Sequence, residues 1–250
     1  MKTFVKDHLM VRQYESRSSM GAEAAKSVGE CIRKELGTHD HINMIFAAAP
    51  SQNEMLQNLI RQDVDWSRVN AFHMDEYTGL PPGASQTFRH YLDEHLFSHV
   101  AFKKVNYING NADDLNEECS RYSDLLKKFP PDIVCMGIGE NGHLAFNDPH
   151  VAFFNDSVLV KVVDLDEVSR QQQVNDGCFA TIDVVPSQAL TLTIPALMSG
   201  RNIFCVVPGK KKAAAVHNTL NQSVDEKFPS TILRTHSNAI LFVDEDSYQQ

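Results

Sequence analysis

Short apolar runs alternate with stretches of helical periodicity along this chain, and the alternation directs it to a parallel-rich sheet with helices packed on its faces. The runs Ile42–Phe46, Val69–Met74, Val105–Ile108, Ile133–Met136, Ile203–Val207 and Ala239–Val243 read as strands. The run at Ile133–Met136 is almost wholly apolar and bounded by Pro130-Pro131 and Gly137, as expected of a strand buried on both faces. Between the strands, Ser18-Ser19 can cap a helix over about residues 20–36, whose Ala22, Ala25, Val28, Ile32 and Leu36 recur at helical spacing and which Gly37 can end. Further helices are expected after Pro50–Asn53, from Ser85 to His99, after a cap at Asp113 or Asp114, and after Pro208-Gly209. Beyond residue 150 the pattern loosens. Val158–Val163 and Ala189–Ile194 look extended, while the Gln171-Gln172-Gln173 patch and Cys178–Val185 receive no assignment. With no repeat, low-complexity tract or long linker, residues 1–250 are expected to form one domain.

Composition excludes several classes of partner. The 250 residues are 42% hydrophobic, enough for a full core, and carry a formal charge of −9, which argues against nucleic acid or an anionic membrane as the main partner. The five cysteines are scattered, with no CxxC pair, and read as free thiols of a reducing compartment. The first residues lack the apolar stretch of a secretory leader and no segment approaches membrane-spanning length, so a cytoplasmic location is expected.

Three loops at predicted strand ends carry the chemistry, and crevices at such ends are the usual ligand sites of open parallel sheets. The run Gly137-Ile138-Gly139-Glu140-Asn141-Gly142-His143-Leu144-Ala145-Phe146-Asn147-Asp148-Pro149 sets a histidine among glycines directly after a buried strand. Taken alone, His143 fits a satisfied turn histidine as well as a functional one. Asp75-Glu76-Tyr77 ends a second strand; in an extended segment His73, Asp75 and Tyr77 would face one way and Met74 and Glu76 the other, so one of the two acids enters the pocket. Residue order favours Asp75, and a solvated acidic loop is the plain alternative. Ser51, Gln52 and Asn53 start a predicted helix, where free N–H groups favour an anion such as phosphate, although such residues are commonly only caps. Lys210-Lys211-Lys212 follows Pro208-Gly209 at another strand-to-helix junction and offers a counter-charge.

Met74-Asp75-Glu76-Tyr77-Thr78-Gly79-Leu80 together with the 137–149 run resembles the glucosamine-6-phosphate deaminase/isomerase family, and the likeness extends through Asn109–Ala112 and Ala189–Thr191. The resemblance implies a three-layer, Rossmann-like α/β fold, no metal and no cofactor, a small-molecule sugar phosphate as partner, and conversion of glucosamine 6-phosphate and water to fructose 6-phosphate and ammonium. A homo-oligomer is compatible with it. By the same resemblance Asp75 is the base that moves a proton between C2 and C1, and His143 is the ring-opening residue, flanked by Asn141 and Asp148. Ser51, Gln52, Asn53, Glu76, Tyr77, Gly139, Arg170 and Lys212 then fall to substrate binding. The chain departs from the familiar pattern at several of these positions. Asn141 stands for an aspartate, and Asp148 for a glutamate longer by one C–C bond, roughly 1.5 Å. Pro50-Ser51-Gln52-Asn53 replaces a Thr-Gly-Gly-Thr type loop, and the phosphate-contacting arginine has only Arg170 as a nearby counterpart.

Two rival readings accompany this one. A 6-phosphogluconolactonase would share the fold and the glycine-histidine motif, but such chains continue differently from Ala145-Phe146-Asn147-Asp148-Pro149. A non-catalytic sugar-phosphate sensor would account for the altered loop and flanks, yet binding alone requires neither Asp75 nor His143.

Overall fold

The computed structural model describes residues 1–249. The chain opens with an antiparallel hairpin, β1 (Lys2–Lys6) and β2 (Leu9–Tyr14), and continues into α1 (Arg17–Leu36), β3 (Ile42–Phe46) and α2 (Asn53–Leu59). Next come β4 (Val69–His73), β5 (Asp75–Tyr77) and α3 (Phe88–Leu92), which is prolonged by a π-helical turn over Asp93–Phe97. The short β6 (Lys104–Asn106) precedes α4 (Leu115–Lys128) and β7 (Ile133–Met136). After the glycine-histidine loop follow β8 (Val160–Asp164), α5 (Glu167–Asn175), β9 (Gln188–Leu192), α6 (Ile194–Met198), β10 (Asn202–Val207), α7 (Ala213–Asn221) and β11 (Ala239–Asp244).

Eight strands form the main sheet in the order β1-β2-β11-β10-β7-β3-β4-β6, and β8, β9 and β5 form a second, antiparallel sheet. Within the main sheet every pairing except β1 with β2 is parallel. Strict alternation along the buried strands divides the core between the two faces. Met44, Phe46 and Cys135 pack with Val28 and Ile32 of α1 and with Met55 and Leu56 of α2. Ile45, Val134 and Met136 belong to the opposite layer, with Tyr122 and Leu126 of α4, Val216 of α7, and Leu190 and Leu192 of β9. This is the mostly parallel, helix-flanked α/β fold that the alternation predicts.

Local signals fix several boundaries. Ser16, not Ser18 or Ser19, is the N-cap of α1; its hydroxyl accepts from the Ser19 N–H at 3.2 Å while the Ser19 side chain returns the bond to Ser16 N at 3.3 Å. Asp114 caps α4 by accepting from the N–H groups of Asn116 and Glu117. Among the described residues no helix is long and apolar enough to cross a membrane.

One expectation fails at a point that matters. The extended alternation from His73 to Tyr77 does not occur, because the chain leaves the main sheet at Met74, whose carbonyl accepts from Leu192 N at 2.8 Å, and joins β9 as β5. His73 turns into the core, where its Nε2 accepts from Ile108 N at 2.8 Å and burial drives its pKa down to about 3. Tyr77 packs against Phe88 and Phe146, with ring centroids 4.7 and 5.4 Å away. Met74 and Asp75 are left as consecutive residues lining one cleft.

Candidate active site

β3, β7 and β10 are parallel neighbours, so their carboxyl ends open onto one rim of the sheet. The loops that follow them supply Ala47, Ser51, Gln52, Gly137, Gly139, His143 and Lys212 to one cleft, and the sheet-switching segment adds Met74 and Asp75. Helix α5 contributes Gln172 and Gln173, while Phe88 and Phe146 furnish aromatic wall.

The glycine-histidine loop is held by its own backbone. Gly139 N donates to His143 O at 2.9 Å and Gly142 N to Gly139 O at 3.1 Å, and Gly142 leads on into His143 at φ +89°, a left-handed conformation that favours glycine. Ala145 adopts φ +50°, a conformation uncommon for a residue with a side chain, and it faces the cleft. Asn147 anchors the far end of the loop, its Nδ2 donating to Leu144 O and Leu192 O at 2.8 Å each. Gly139 has a further reason to be glycine: a Cβ there would fall within 2.3 Å of three atoms of the His143 ring.

Around His143 the side chains converge. Its Nδ1 lies 2.8 Å from Asn141 Oδ1, 2.9 Å from Ser169 Oγ and 3.1 Å from Asp148 Oδ1. Asp148, fully buried, also accepts from Asn141 Nδ2 at 2.9 Å and from the Ser169 hydroxyl. Burial alone would push the Asp148 carboxyl up, but the hydrogen bond and charge of His143, with the donors on Asn141 and Ser169, hold it well below the usual carboxylate range. Asp75 has the opposite environment. It is buried beside Glu76, and desolvation followed by the neighbouring carboxylate pushes its pKa well above the ordinary value.

At the phosphate end expected from the sequence, Lys212 is buried and lines the cleft; burial lowers its pKa, and Asp176 and Glu140 oppose the shift. Ser51 lines it as well. Gln52 is fully buried and directs its Nε2 to Val206 O and Ser51 Oγ, both at 3.1 Å. The expected cradle of free amides is partly spent on the turn itself, since Gln52 N donates to Ala49 O and Asn53 N to Pro50 O.

Four expected site residues lie elsewhere. Asn53 accepts from the Tyr91 hydroxyl and is not among the residues that line the cleft. Glu76 turns away from it: Oε1 accepts from Tyr77 N and Phe88 N at 3.0 Å each, and Oε2 from Arg89 N at 2.9 Å, so the carboxylate satisfies the start of α3. Burial pushes Glu76 up to about 7 against those three donors. Tyr77 is a core residue here, and Arg170 does not line the cleft: its Nη2 donates to the carbonyls of Ile182 and Val185 at 2.8 and 3.0 Å, tying the segment after α5 to its helix.

Residues that sequence reasoning missed come mostly from α5. Ser169, Gln172 and Gln173 stand three and four residues apart on one helical face, all buried, although the run reads as a polar patch. The signal was available in that spacing, but a buried polar face looks like a solvated one until its partners are known. Among the described residues no group of three or more His, Cys, Asp or Glu side chains is arranged to hold a metal ion.

A left-handed alanine in a strand-end loop, a buried carboxylate and a hydrogen-bonded histidine in one cleft make an α/β active site suited to proton transfer. Residues 15–242 match the family model of glucosamine-6-phosphate isomerases/6-phosphogluconolactonase, and the chain belongs to that family. It is 34% identical to a glucosamine-6-phosphate deaminase of Streptococcus uberis over 225 residues, covering 90% of this chain and 94% of that one. A deaminase of Bacillus cereus is 32% identical over 225 residues, 90% of this chain and 84% of its own length. Among solved structures, a monomeric glucosamine-6-phosphate deaminase superposes with a TM-score of 0.86 at 29% identity, covering 95% and 98% of the two chains. A 6-phosphogluconolactonase from Thermotoga maritima shares the fold, with a TM-score of 0.77 at 20% identity over 94% and 99%.

Proposed function

We infer that this chain is a glucosamine-6-phosphate deaminase, converting glucosamine 6-phosphate and water to fructose 6-phosphate and ammonium in the cytoplasm. The observation that carries the reading is the pairing, in one cleft, of a buried carboxylate with raised pKa and a histidine whose Nδ1 is fully engaged by neighbours. Every group it requires comes from one chain.

The chemistry assigns each a task. His143 relays a proton between the hydroxyl at C1 and the ring oxygen, which opens the sugar, and imidazole suits a two-way transfer near neutral pH. Asp75 then removes the C2 proton and returns it to C1. A carboxylate with raised pKa is a stronger base than an exposed one, and a protonated nitrogen on C2 both acidifies that proton and favours the ionised carboxylate beside it. Water adds to the resulting C2 iminium, and C–N cleavage releases ammonia, which leaves as ammonium. Lys212 and Ser51 fit the phosphate end, and Met74 and Phe88 exclude water around Asp75.

Lactone hydrolysis requires only an activated water, so a buried carboxylate with raised pKa beside the histidine would have no task in it, and the two relatives compared above at 34% and 32% identity are deaminases. The deciding assay is ammonia release from glucosamine 6-phosphate, galactosamine 6-phosphate and their N-acetyl forms, with 6-phosphogluconolactone hydrolysis alongside. Turnover of glucosamine 6-phosphate is expected. Folded protein that released no ammonia from any of them, or that hydrolysed only the lactone, would overturn the reading.

A further inference from the structure

We propose that Ser169 is a positioning residue of the histidine relay: it holds the Asp148 carboxylate against His143 and, with Asn141 and Asp148, keeps the proton on Nδ1 so that Nε2 is the atom that gains and loses a proton. The proposal rests on the deaminase reading for its kinetic consequence, but its structural content stands without it.

The argument is one of donors and acceptors. Asn141 Nδ2 points at Asp148 Oδ1, so the amide is oriented with Oδ1 toward His143, where it accepts from both the backbone N–H at 3.0 Å and Nδ1 at 2.8 Å. The Ser169 hydroxyl has one proton, and an ionised carboxylate is the stronger of its two available acceptors, so it goes to Asp148 Oδ1. The oxygen of Ser169 then presents only lone pairs to Nδ1, 2.9 Å away. Asp148 Oδ1, at 3.1 Å, is likewise an acceptor. Three acceptors around one ring nitrogen require that nitrogen to carry hydrogen in the neutral imidazole as well as in the imidazolium. Nε2 has no protein partner among the described residues, and the ring lines the cleft.

Ser169 is the member of this set that comes from outside the loop. Asn141, His143 and Asp148 lie within eight residues of one another, whereas Ser169 arrives on α5, 1% exposed, with Gln172 and Gln173 one turn further on. Gln172 Oε1 accepts from Glu140 N at 2.8 Å, so the same helical face also fixes the loop backbone. Helix α5 therefore clamps the relay at two points. With the first flank an uncharged asparagine, the carboxylate of Asp148 is, among the described residues, the one negative group in direct contact with His143, and Ser169 and Asn141 both donate to it.

The experiment combines spectroscopy, which needs no turnover, with kinetics. Long-range proton–nitrogen spectra of uniformly labelled wild type, with the His143 signal identified by its loss in His143→Gln, report which ring nitrogen carries hydrogen. Hydrogen on Nδ1 throughout the titration is expected. Ser169→Ala leaves Asn141 Oδ1 and Asp148 Oδ1 as acceptors, so the tautomer should persist, while the pH profile of kcat shifts and kcat falls by roughly ten- to a hundredfold, the range for removing a hydrogen bond to a charged group. Ser169→Thr, which keeps the hydroxyl, should restore both, and Ser169→Cys provides a size-matched replacement if the alanine variant does not fold. Hydrogen on Nε2 in the wild type, or a Ser169→Ala protein with wild-type kcat and pH profile, would overturn the proposal. Absence of ammonia release in a wild type that shows the expected tautomer would instead remove the deaminase reading and leave the role of Ser169 standing.

Discussion

The Cα of Gly139 lies so close to the His143 imidazole that an added Cβ would fall 2.1 Å from Cε1 and 2.2 Å from Nε2. Any side chain at position 139 must therefore displace the ring or the loop, and the loop is tied at the same residue by Gly139 N to His143 O. Gly139→Ala is expected to lower turnover about a hundredfold, the usual cost of moving a reacting group by about 1 Å. Ammonia release together with a thermal melt checks this; a folded variant with normal turnover would show that the ring position is not critical.

Asp75 carries a prediction about chemistry and one about stability. Asp75→Asn should abolish exchange of the C2 proton with deuterated water while leaving substrate binding largely intact, because the amide fills the same space but cannot act as a base. Its pKa in the folded protein is raised above the ordinary 3.8, so its contribution to stability is fully present below that value and is lost as pH rises through the raised one. Asp75→Asn should thus match wild type in acid and melt at a higher temperature near neutral pH. Melts at several pH values test the sign.

Asp148 should behave in the opposite way. Its folded pKa is depressed below 3.8, so its stabilisation is present above that value and is lost as pH falls through the depressed one. Asp148→Ala leaves the buried donors of Asn141 and Ser169 without their acceptor and removes the charge beside His143, and is expected to cost about 2–4 kcal/mol at neutral pH. Denaturant titrations at pH 7 and in acid measure this, and the gap from wild type should narrow in acid.

His143→Gln separates ring opening from proton transfer at carbon. Turnover of the cyclic substrate should fall by about 10²–10⁴-fold, the range for loss of a general acid-base group, while C2 exchange on an open-chain analogue is largely retained. Equal loss in both assays would mean that His143 does more than open the ring.

Lys212 is the lysine among the residues lining the cleft, and no arginine joins it there. Lys212→Ala should raise KM for the phosphorylated sugar by roughly ten- to a hundredfold with a smaller change in kcat, as for loss of a charged hydrogen bond made equally in ground and transition states. Inorganic phosphate should inhibit wild type competitively and the variant much less.

Much of this molecule was legible from residue order because the relevant interactions are local. Apolar runs flanked by prolines and glycines marked the buried strands, and the cap at Asp114 was visible from its position before an amphipathic segment. The hairpin of β1 and β2 was not seen: its edge strand alternates Lys2, Phe4 and Lys6 around partly exposed positions, and nothing in that short run distinguishes it from a polar leader. The surroundings of Arg170 were hidden for a related reason. A cation near a phosphate site in sequence carries no sign of its acceptors, and those acceptors are backbone carbonyls of Ile182 and Val185 that only the fold supplies.

Residue order alone marked six strands of the main sheet, the glycine-bounded loop that carries His143, and an acid at a neighbouring strand end. These follow from side-chain size, backbone freedom and periodicity, which act over a few residues. Only the tertiary structure decided which side chains meet. The change of sheet at Met74 sends His73, Asp75 and Tyr77 in different directions, and the seating of α5 against the loop brings Ser169 to His143 across 26 residues of chain. Contacts of that kind depend on how elements pack, and no pattern local to either partner encodes them.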